Sequence, residues 1–154
     1  MTDAVGYLAA LDKPKPLDIW VERIDSRAAL PTTEDIGWDV FAFNISESGK
    51  ELTRAVHQRQ VTKISTGIKL VPPLGFYFSI HSKIQWAERG VLVVNCPGLA
   101  APKPVGELII YLYNGSFETH YIPHGHRIAK LILTPIHSAS LTILDHSRQP
   151  PGSS

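Results

Sequence analysis

Short apolar runs, separated by turn-forming residues, recur along most of the chain. Two of these runs, Val91–Val94 and Leu108–Leu112, flank a segment that contains three prolines and two glycines. Short apolar runs bounded by turn residues are typical of buried β-strands. The segment between them is longer than the roughly 2–5 residues of an ordinary hairpin loop. Because long loops between buried strands often carry binding sites, we expect a site here.

The same pattern predicts further short strands and almost no helix. The predicted strands include Leu17–Ile24, a strand that begins at Ile36, Glu51–Val56, Gln60–Ser65, Gly75–Ile80, Ile109–Tyr113, Phe117–Ile122 and Ala139–Leu144. Asn114-Gly115 is a strong tight-turn signal, which predicts that Phe117–Ile122 returns antiparallel to Ile109–Tyr113. Regularly spaced short strands indicate an all-β, barrel-like domain.

Length and composition narrow the class of protein. The 154 residues fit one domain, and a hydrophobic content of 44% is enough for a packed core. The net charge of +1, without a block of like charges, predicts no nucleic-acid partner and no membrane partner. We divide the chain into an N-terminal arm (1–16), a barrel domain (17–146) and a C-terminal tail (147–154).

The N-terminus and the cysteine content predict a location. Residues 1–16 lack the basic stretch and apolar core of a signal peptide. The single cysteine, Cys96, excludes an intrachain disulfide and fits a reducing compartment. We therefore expect an intracellular protein, in the cytoplasm or nucleus, that is not secreted.

Several motifs give the strand pattern a more specific meaning. Asn95–Gly98 reads NCPG before the long loop, and Gly106-Glu107 follows it. Ile36–Val40 reads IGWDV, Thr66–Pro73 reads TGIKLVPP, and Gly125–Leu131 reads GHRIAKL. Taken in their order along the chain, these segments resemble motifs of the trimeric dUTPase family. The resemblance implies a jelly-roll β-barrel that assembles as a homotrimer, with sites built from three chains.

The long loop lacks the residues that carry the chemistry in that family. With the third motif aligned without a gap, the family's water-activating aspartate falls on Ala101. Its second aspartate falls on Lys103, its sugar-stacking tyrosine on Pro104 and its arginine on Val105. The resemblance therefore predicts that this chain has no catalytic residue at these positions, because the framework is kept while the reactive side chains are replaced.

Two more motifs depart from the family pattern. Counted forward without a gap, the family's P-R-S-G-L-A faces Ser82–Ala87, where Lys83 keeps the charge of the arginine but not its planar fork. Shifted by two residues, Ser82 faces the family's serine and His81 its arginine, and no register restores the motif. The tail, 147–154, has neither the phenylalanine nor the glycine cluster of the family's closing segment. In the family the aspartate aligned with Asp39 serves the metal–triphosphate end indirectly; alternatively, Asp39 caps the strand entry. The resemblance leaves a vestigial nucleotide site at Asp39, Lys83, Asn95, Gly98, Gly106 and Arg127.

Three other groups of residues are candidates for a metal site, a nucleophile and an anion site. The spacing of His120, His124 and His126 fits no standard zinc pattern, so no metal site is predicted. Cys96 is predicted to be a packed thiol rather than a nucleophile. A set of basic residues either converges on an anion or is ordinarily solvated: Lys69, Lys83, Arg89, Lys103, Arg127 and Lys130.

The combined losses favour a protein that no longer hydrolyses dUTP and uses no cofactor. Such a protein would be a pseudoenzyme with a binding, structural or assembly role and an unknown protein partner. Because viruses reuse this fold for interaction and assembly, a viral protein carried in a particle fits this prediction. The alternatives are an active diphosphatase that uses magnesium to make dUMP and pyrophosphate, and a nucleotide-binding protein without hydrolysis.

Overall fold

The computed structural model describes residues 17–96, 106–145, 147 and 151–152, and its regular structure is almost entirely β-strand. Within these ranges there is one short helix, α1 (Ile84–Ala87), which follows the seventh strand. The strands are β1 (Trp20–Arg23), β2 (Thr32–Thr33), β3 (Trp38–Phe41), β4 (Thr53–Val56), β5 (Val61–Ser65), β6 (Ile68–Val71), β7 (Phe76–Ser82), β8 (Val91–Val93), β9 (Ile109–Asn114), β10 (His120–Pro123) and β11 (Arg127–Pro135).

The described strands pair antiparallel in four small sheets. The largest has the order β2-β3-β11-β7, and a three-stranded sheet has the order β5-β9-β8. The pairs β1-β6 and β4-β10 complete the set. Strands that are neighbours in a sheet are often far apart in the sequence, so the chain crosses repeatedly between sheets.

One hydrophobic core joins these sheets, because every strand from β3 to β11 contributes at least one buried side chain. Strand β9 shows the pattern most clearly, since Ile110, Leu112 and Asn114 are buried and the residues between them are half-exposed. The ring of Trp38 packs edge-on against Phe78, with 6.1 Å between centroids. The predicted all-β fold is confirmed.

The pairing predicted after Asn114-Gly115 is wrong. Strand β10 pairs with β4 rather than with β9. The reason is that β9 already has neighbours on both edges, β5 and β8. The fully buried Asn114 side chain redirects the chain, because its amide donates to the carbonyl oxygens of Val56 (2.9 Å) and Glu118 (2.6 Å).

The predicted strand Ala139–Leu144 is also not a strand in this chain. Residues 136–145 have no regular structure, and the side chains of Leu141 and Ile143 are almost fully exposed. Alternating apolar residues form a strand only when a sheet edge accepts them. No described strand pairs with this segment.

Several predicted segments lie wholly or partly outside the described residues. These include the arm (1–16) and the long loop at 97–105, and the tail is described only at 147 and 151–152. The proposed domain bounds therefore remain predictions. No helix in the described part of the chain has the length and apolar character to span a lipid bilayer.

Gly37 leads into β3 with no room for a side chain. Its φ is +84°, and a Cβ atom built there would lie 2.0 Å from the backbone oxygen of Leu131 on β11. A side chain at this position would therefore force β3 and β11 apart, in addition to the cost of a positive φ.

We expect Gly37→Ala to lower the free energy of unfolding by about 2–4 kcal/mol, since a strained φ and overpacking each cost about 1–3 kcal/mol. The matched control is Gly75→Ala, because Gly75 has a similar φ of +86° and open space around it. This control carries only the backbone cost, about 1–2 kcal/mol. Urea unfolding of both variants measures the difference, and equal losses would contradict the steric argument.

Candidate functional site

A buried ionic cluster forms where β3 and the end of β7 approach across β11. Asp39 is opposite Lys130 in β11, and Lys130 is opposite His81 in β7. Lys83, just past the end of β7, thereby reaches Asp39. Its Nζ donates to Oδ1 of Asp39 at 2.7 Å and to Oε2 of Glu34 at 2.9 Å. The side chains of Asp39 and Lys83 are only 1% and 9% exposed.

Arg127 completes this cluster from the solvent side. Its Nε lies 3.3 Å from Oδ2 of Asp39, and its side chain is 60% exposed. That oxygen is buried and accepts no hydrogen bond from the described residues. The Arg127 guanidinium also lies over the Phe41 ring, 6.0 Å from its centroid. Three of the predicted site residues, Asp39, Lys83 and Arg127, are therefore brought together.

The charges of the cluster support one another. Burial by itself would lower the pKa of Lys83, but hydrogen bonds to Asp39 and Glu34 outweigh it and raise that pKa above its ordinary value. Contacts with Asp39 and with Lys83 lower the pKa of Glu34 to about 2. At neutral pH Lys83 is therefore a cation whose charge is already matched by its two carboxylate neighbours.

A cleft of about 530 Å³ opens beside the cluster. The described residues that line it are mostly cationic or aromatic and include no Asp or Glu. The main ones are Phe41, Lys83, Trp86, Arg89, His126 and Arg127. A concave surface with several cations and no lining carboxylate is suited to an anionic ligand.

Helix α1 supplies one wall of this cleft and is not predicted from the sequence pattern. The indole Nε1 of Trp86, a buried residue, donates to the carbonyl oxygen of Arg127 at 2.8 Å. The guanidinium of Arg89 lies over the Trp86 ring, 5.2 Å from its centroid. The sequence signal that could have revealed this turn is Gly90, because a glycine after a basic residue often ends a helix.

Asn95 holds the base of the long loop. Its side-chain amide donates to the carbonyl oxygen of Ile109 at 3.0 Å and accepts the Tyr111 N–H at 3.1 Å. Asn95 thus continues the pairing of β8 and β9 beyond the end of β8. This local role is structural, and it fixes where the loop leaves the sheet.

Glu107 holds the other end of the loop. Its carboxylate accepts hydrogen bonds from the Ser65 hydroxyl and from the Gly67 N–H, the latter at 2.8 Å. Gly106, just before it, is exposed. Gly98 and Ala101 lie outside the described residues. Within the part of the chain that the structure describes, no hydrogen bond or ion pair joins Asn95, Gly106 or Glu107 to the Lys83 cluster.

Two of the three histidines considered for a metal site make local hydrogen bonds. The Asn44 N–H donates to Nδ1 of His124 at 3.0 Å, and His120 shares a hydrogen bond of 3.0 Å with the Ser116 hydroxyl. In the described ranges, no group of three or more His, Cys, Asp or Glu side chains is placed to hold a metal ion.

Comparisons with known proteins agree with the motif resemblance. A family model described as dUTPase matches residues 32–152. A deoxyuridine 5'-triphosphate nucleotidohydrolase from Syntrophotalea carbinolica is 31% identical over 135 residues, which cover 85% of this chain and 88% of the relative. The protein of the same name from Anaplasma marginale is 28% identical and covers 78% of this chain and 82% of its own length.

Solved structures show the same fold. The dUTPase of phage phi11 of Staphylococcus aureus superimposes with a TM-score of 0.71 at 16% identity, covering 84% of this chain and 97% of that one. The EIAV dUTPase superimposes with a TM-score of 0.65 at 18% identity, covering 86% of this chain and all of that one. The predicted dUTPase-like β-fold is therefore confirmed.

These comparisons correct the functional prediction. The non-enzyme interpretation is wrong, because the relatives that match most of this chain are named as dUTP nucleotidohydrolases. The physical reason is that positioning and charge stabilisation, which many groups share, supply much of phosphoryl-transfer catalysis. Replacement of individual motif residues therefore does not by itself show that the reaction is lost. With the family model over 32–152 and a relative of 31% identity over most of its length, the chain belongs to the dUTPase family.

Proposed function

We propose that this protein is a dUTP nucleotidohydrolase, which uses water to split dUTP into dUMP and pyrophosphate. The observation that carries the proposal is the 31% identity to a nucleotidohydrolase of that name across 85% of this chain. The match is not confined to one motif, since the family model extends from residue 32 to residue 152. The match therefore covers the described strands from β2 to β11.

The cationic cleft supports the same proposal at the triphosphate end. Arg89 and Arg127 line it and are exposed, and the Arg127 side chain is 60% exposed. Phosphate oxygens are bound most strongly by such charged donors, and arginine can contact two of them at once. We place the nucleoside end at the loop whose base is held by Asn95 and which contains Gly98 and Gly106.

The remaining features follow from this proposal. We propose a homotrimer, because the family builds its sites from three chains. Magnesium would enter bound to the triphosphate and would neutralise part of its charge there. The cleft fits such a complex through its cations, because the described residues that line it include no Asp or Glu to bind the metal directly. Because the substrate is a nucleotide, we place the protein inside the cell.

The test is pyrophosphate release by the purified protein with magnesium and dUTP, compared with dCTP, dTTP and UTP. We expect turnover below the usual enzyme range of about 1 s⁻¹ or above, by the roughly 10²–10⁴-fold that a missing general base costs. Selective hydrolysis of dUTP supports the proposal. Equal rates with all four nucleotides, or no release from dUTP, would contradict it.

A matched pair of variants excludes contamination by a host enzyme. Arg127→Met removes a cation from the cleft, whereas Arg59→Met removes an exposed arginine that lies over the Phe117 ring, 5.3 Å from its centroid, and does not line the cleft. If the activity belongs to this chain, it falls at least tenfold in the first variant and is unchanged in the second. A thermal melt confirms that both variants are folded.

A further inference from the structure

We propose that Arg89 is a phosphate-binding residue of this chain and has the role that the ungapped alignment gives to Lys83. The inference deepens the proposed function and rests on it, since it names the side chain that contacts the triphosphate. Counted forward without a gap, the sequence places Lys83 at the family's motif arginine, yet Arg89 is the cation that the structure leaves available on that wall of the cleft.

Lys83 is occupied by its own neighbours. Its ammonium donates to Asp39 at 2.7 Å and to Glu34 at 2.9 Å, and its side chain is only 9% exposed. A phosphate bound directly to Nζ would have to compete with two carboxylates, one of them fully buried. Separating a buried ion pair costs several kcal/mol, so Lys83 serves the architecture of the site and not the ligand.

Arg89 is exposed, lines the cleft and is held in place by an aromatic support. Its guanidinium lies 5.2 Å from the centroid of the Trp86 ring, a cation–π distance. Trp86 is itself fixed, because it is buried and its indole N–H is hydrogen-bonded to the Arg127 carbonyl oxygen at 2.8 Å. An arginine stacked in this way keeps its N–H donors free at the edge of the guanidinium plane and loses less conformational entropy on binding.

The cleft contains a second arginine whose guanidinium also lies over an aromatic ring. Arg127 lies over Phe41, 6.0 Å from the ring centroid, and its Nε is 3.3 Å from Asp39. Arg89 and Arg127 thus line one cleft from different elements, each placed over an aromatic ring. Two guanidinium groups facing one concave surface form a clamp for a polyphosphate, whose oxygens accept several hydrogen bonds at once.

The direct test measures binding of inorganic tripolyphosphate by calorimetry, using the full chain and three variants. We expect Arg89→Met to raise the Kd about 10- to 100-fold, because hydrogen bonds to charged groups are worth about 1.5–3 kcal/mol. The control Arg59→Met removes an arginine stacked on Phe117 outside the cleft and should leave the Kd unchanged. Trp86→Phe keeps a ring under Arg89 but removes the indole hydrogen bond, so a smaller loss is expected.

Kinetics then separate binding from a merely structural role. For dUTP hydrolysis, Arg89→Met should raise KM, and the dependence of KM on salt concentration should become shallower than in the unmodified protein. Arg89→Lys, which keeps the charge but loses the fork, should recover only part of the binding. A change in melting temperature without a change in KM or Kd would show a structural role and overturn the inference.

The outcomes distinguish this inference from the proposed function. If the protein hydrolyses dUTP and Arg89→Met leaves both the KM and the tripolyphosphate Kd unchanged, the Arg89 assignment is wrong and the proposed function is supported. If tripolyphosphate binds in an Arg89-dependent way but dUTP is not hydrolysed, the proposed function is wrong and the anion site is supported. Tripolyphosphate that binds equally to all variants overturns the assignment.

Discussion

Replacing Ala101 by aspartate is expected to raise the turnover number for dUTP by about 10²–10⁴-fold, the usual contribution of a general base. The physical reason is that attack of water on a phosphorus atom is faster when a carboxylate accepts the proton of that water. Gapless alignment of the third motif places Ala101 where the family has this carboxylate. The unmodified protein should therefore be a slower enzyme than relatives that keep the aspartate.

The neighbouring residue provides a matched control for this prediction. Ala100→Asp adds the same charge to the same loop, one residue from the family position. Steady-state kinetics on both variants should show a gain in kcat for position 101 only. If both variants resemble the unmodified protein while that protein is active, another carboxylate activates the water and the alignment argument is wrong.

Replacing Lys83 by methionine is expected to lower the free energy of unfolding by about 3–5 kcal/mol. Methionine keeps much of the length of the side chain, so packing changes little, but Asp39 loses the ammonium 2.7 Å from Oδ1. The Asp39 side chain is only 1% exposed, and water cannot replace this partner. Arg127, at 3.3 Å from the other oxygen, offsets only part of the loss because it is mostly exposed.

A second lysine isolates the effect of burial. Lys69 lies 4.0 Å from Glu22, and both side chains are substantially exposed. Lys69→Met should therefore cost only about 0–1 kcal/mol, as exposed ion pairs do. Adding Asp39→Asn to Lys83→Met should recover part of the stability, since it removes the unpaired charge. Chemical denaturation measures the free energy of unfolding of the unmodified protein, the two lysine variants and the double variant. Equal losses of stability in the two lysine variants would contradict a buried ion pair.

Much of the fold could be predicted from local patterns. The apolar run at Val91–Val94 is strand β8 with an error of one residue, and Leu108–Leu112 falls largely within β9. These elements were predictable because a strand with a buried face needs apolar residues at its inward positions. Helix α1 was not predicted, since four residues are too few to show a helical period.

The pairing of strands could not be predicted in the same way. Asn114-Gly115 has the sequence of a tight hairpin turn, yet the chain crosses to β4 because both edges of β9 are filled. The segment Ala139–Leu144 has the composition of a strand but no described partner. In both cases the local sequence specifies the preferred backbone, whereas the available sheet edges decide its partners.

The sequence alone determined the all-β class and the dUTPase resemblance, because these depend on side-chain type and spacing along the chain. Only the tertiary structure decided which charges are free. Asp39, Glu34, Lys83 and Arg127 are spread over 94 positions of the sequence, and their pairing depends on the register of β3, β11 and β7. That register buries Lys83 between two carboxylates, whereas Arg89 stays exposed over the Trp86 ring. A sequence alignment does not show this difference between the two cations.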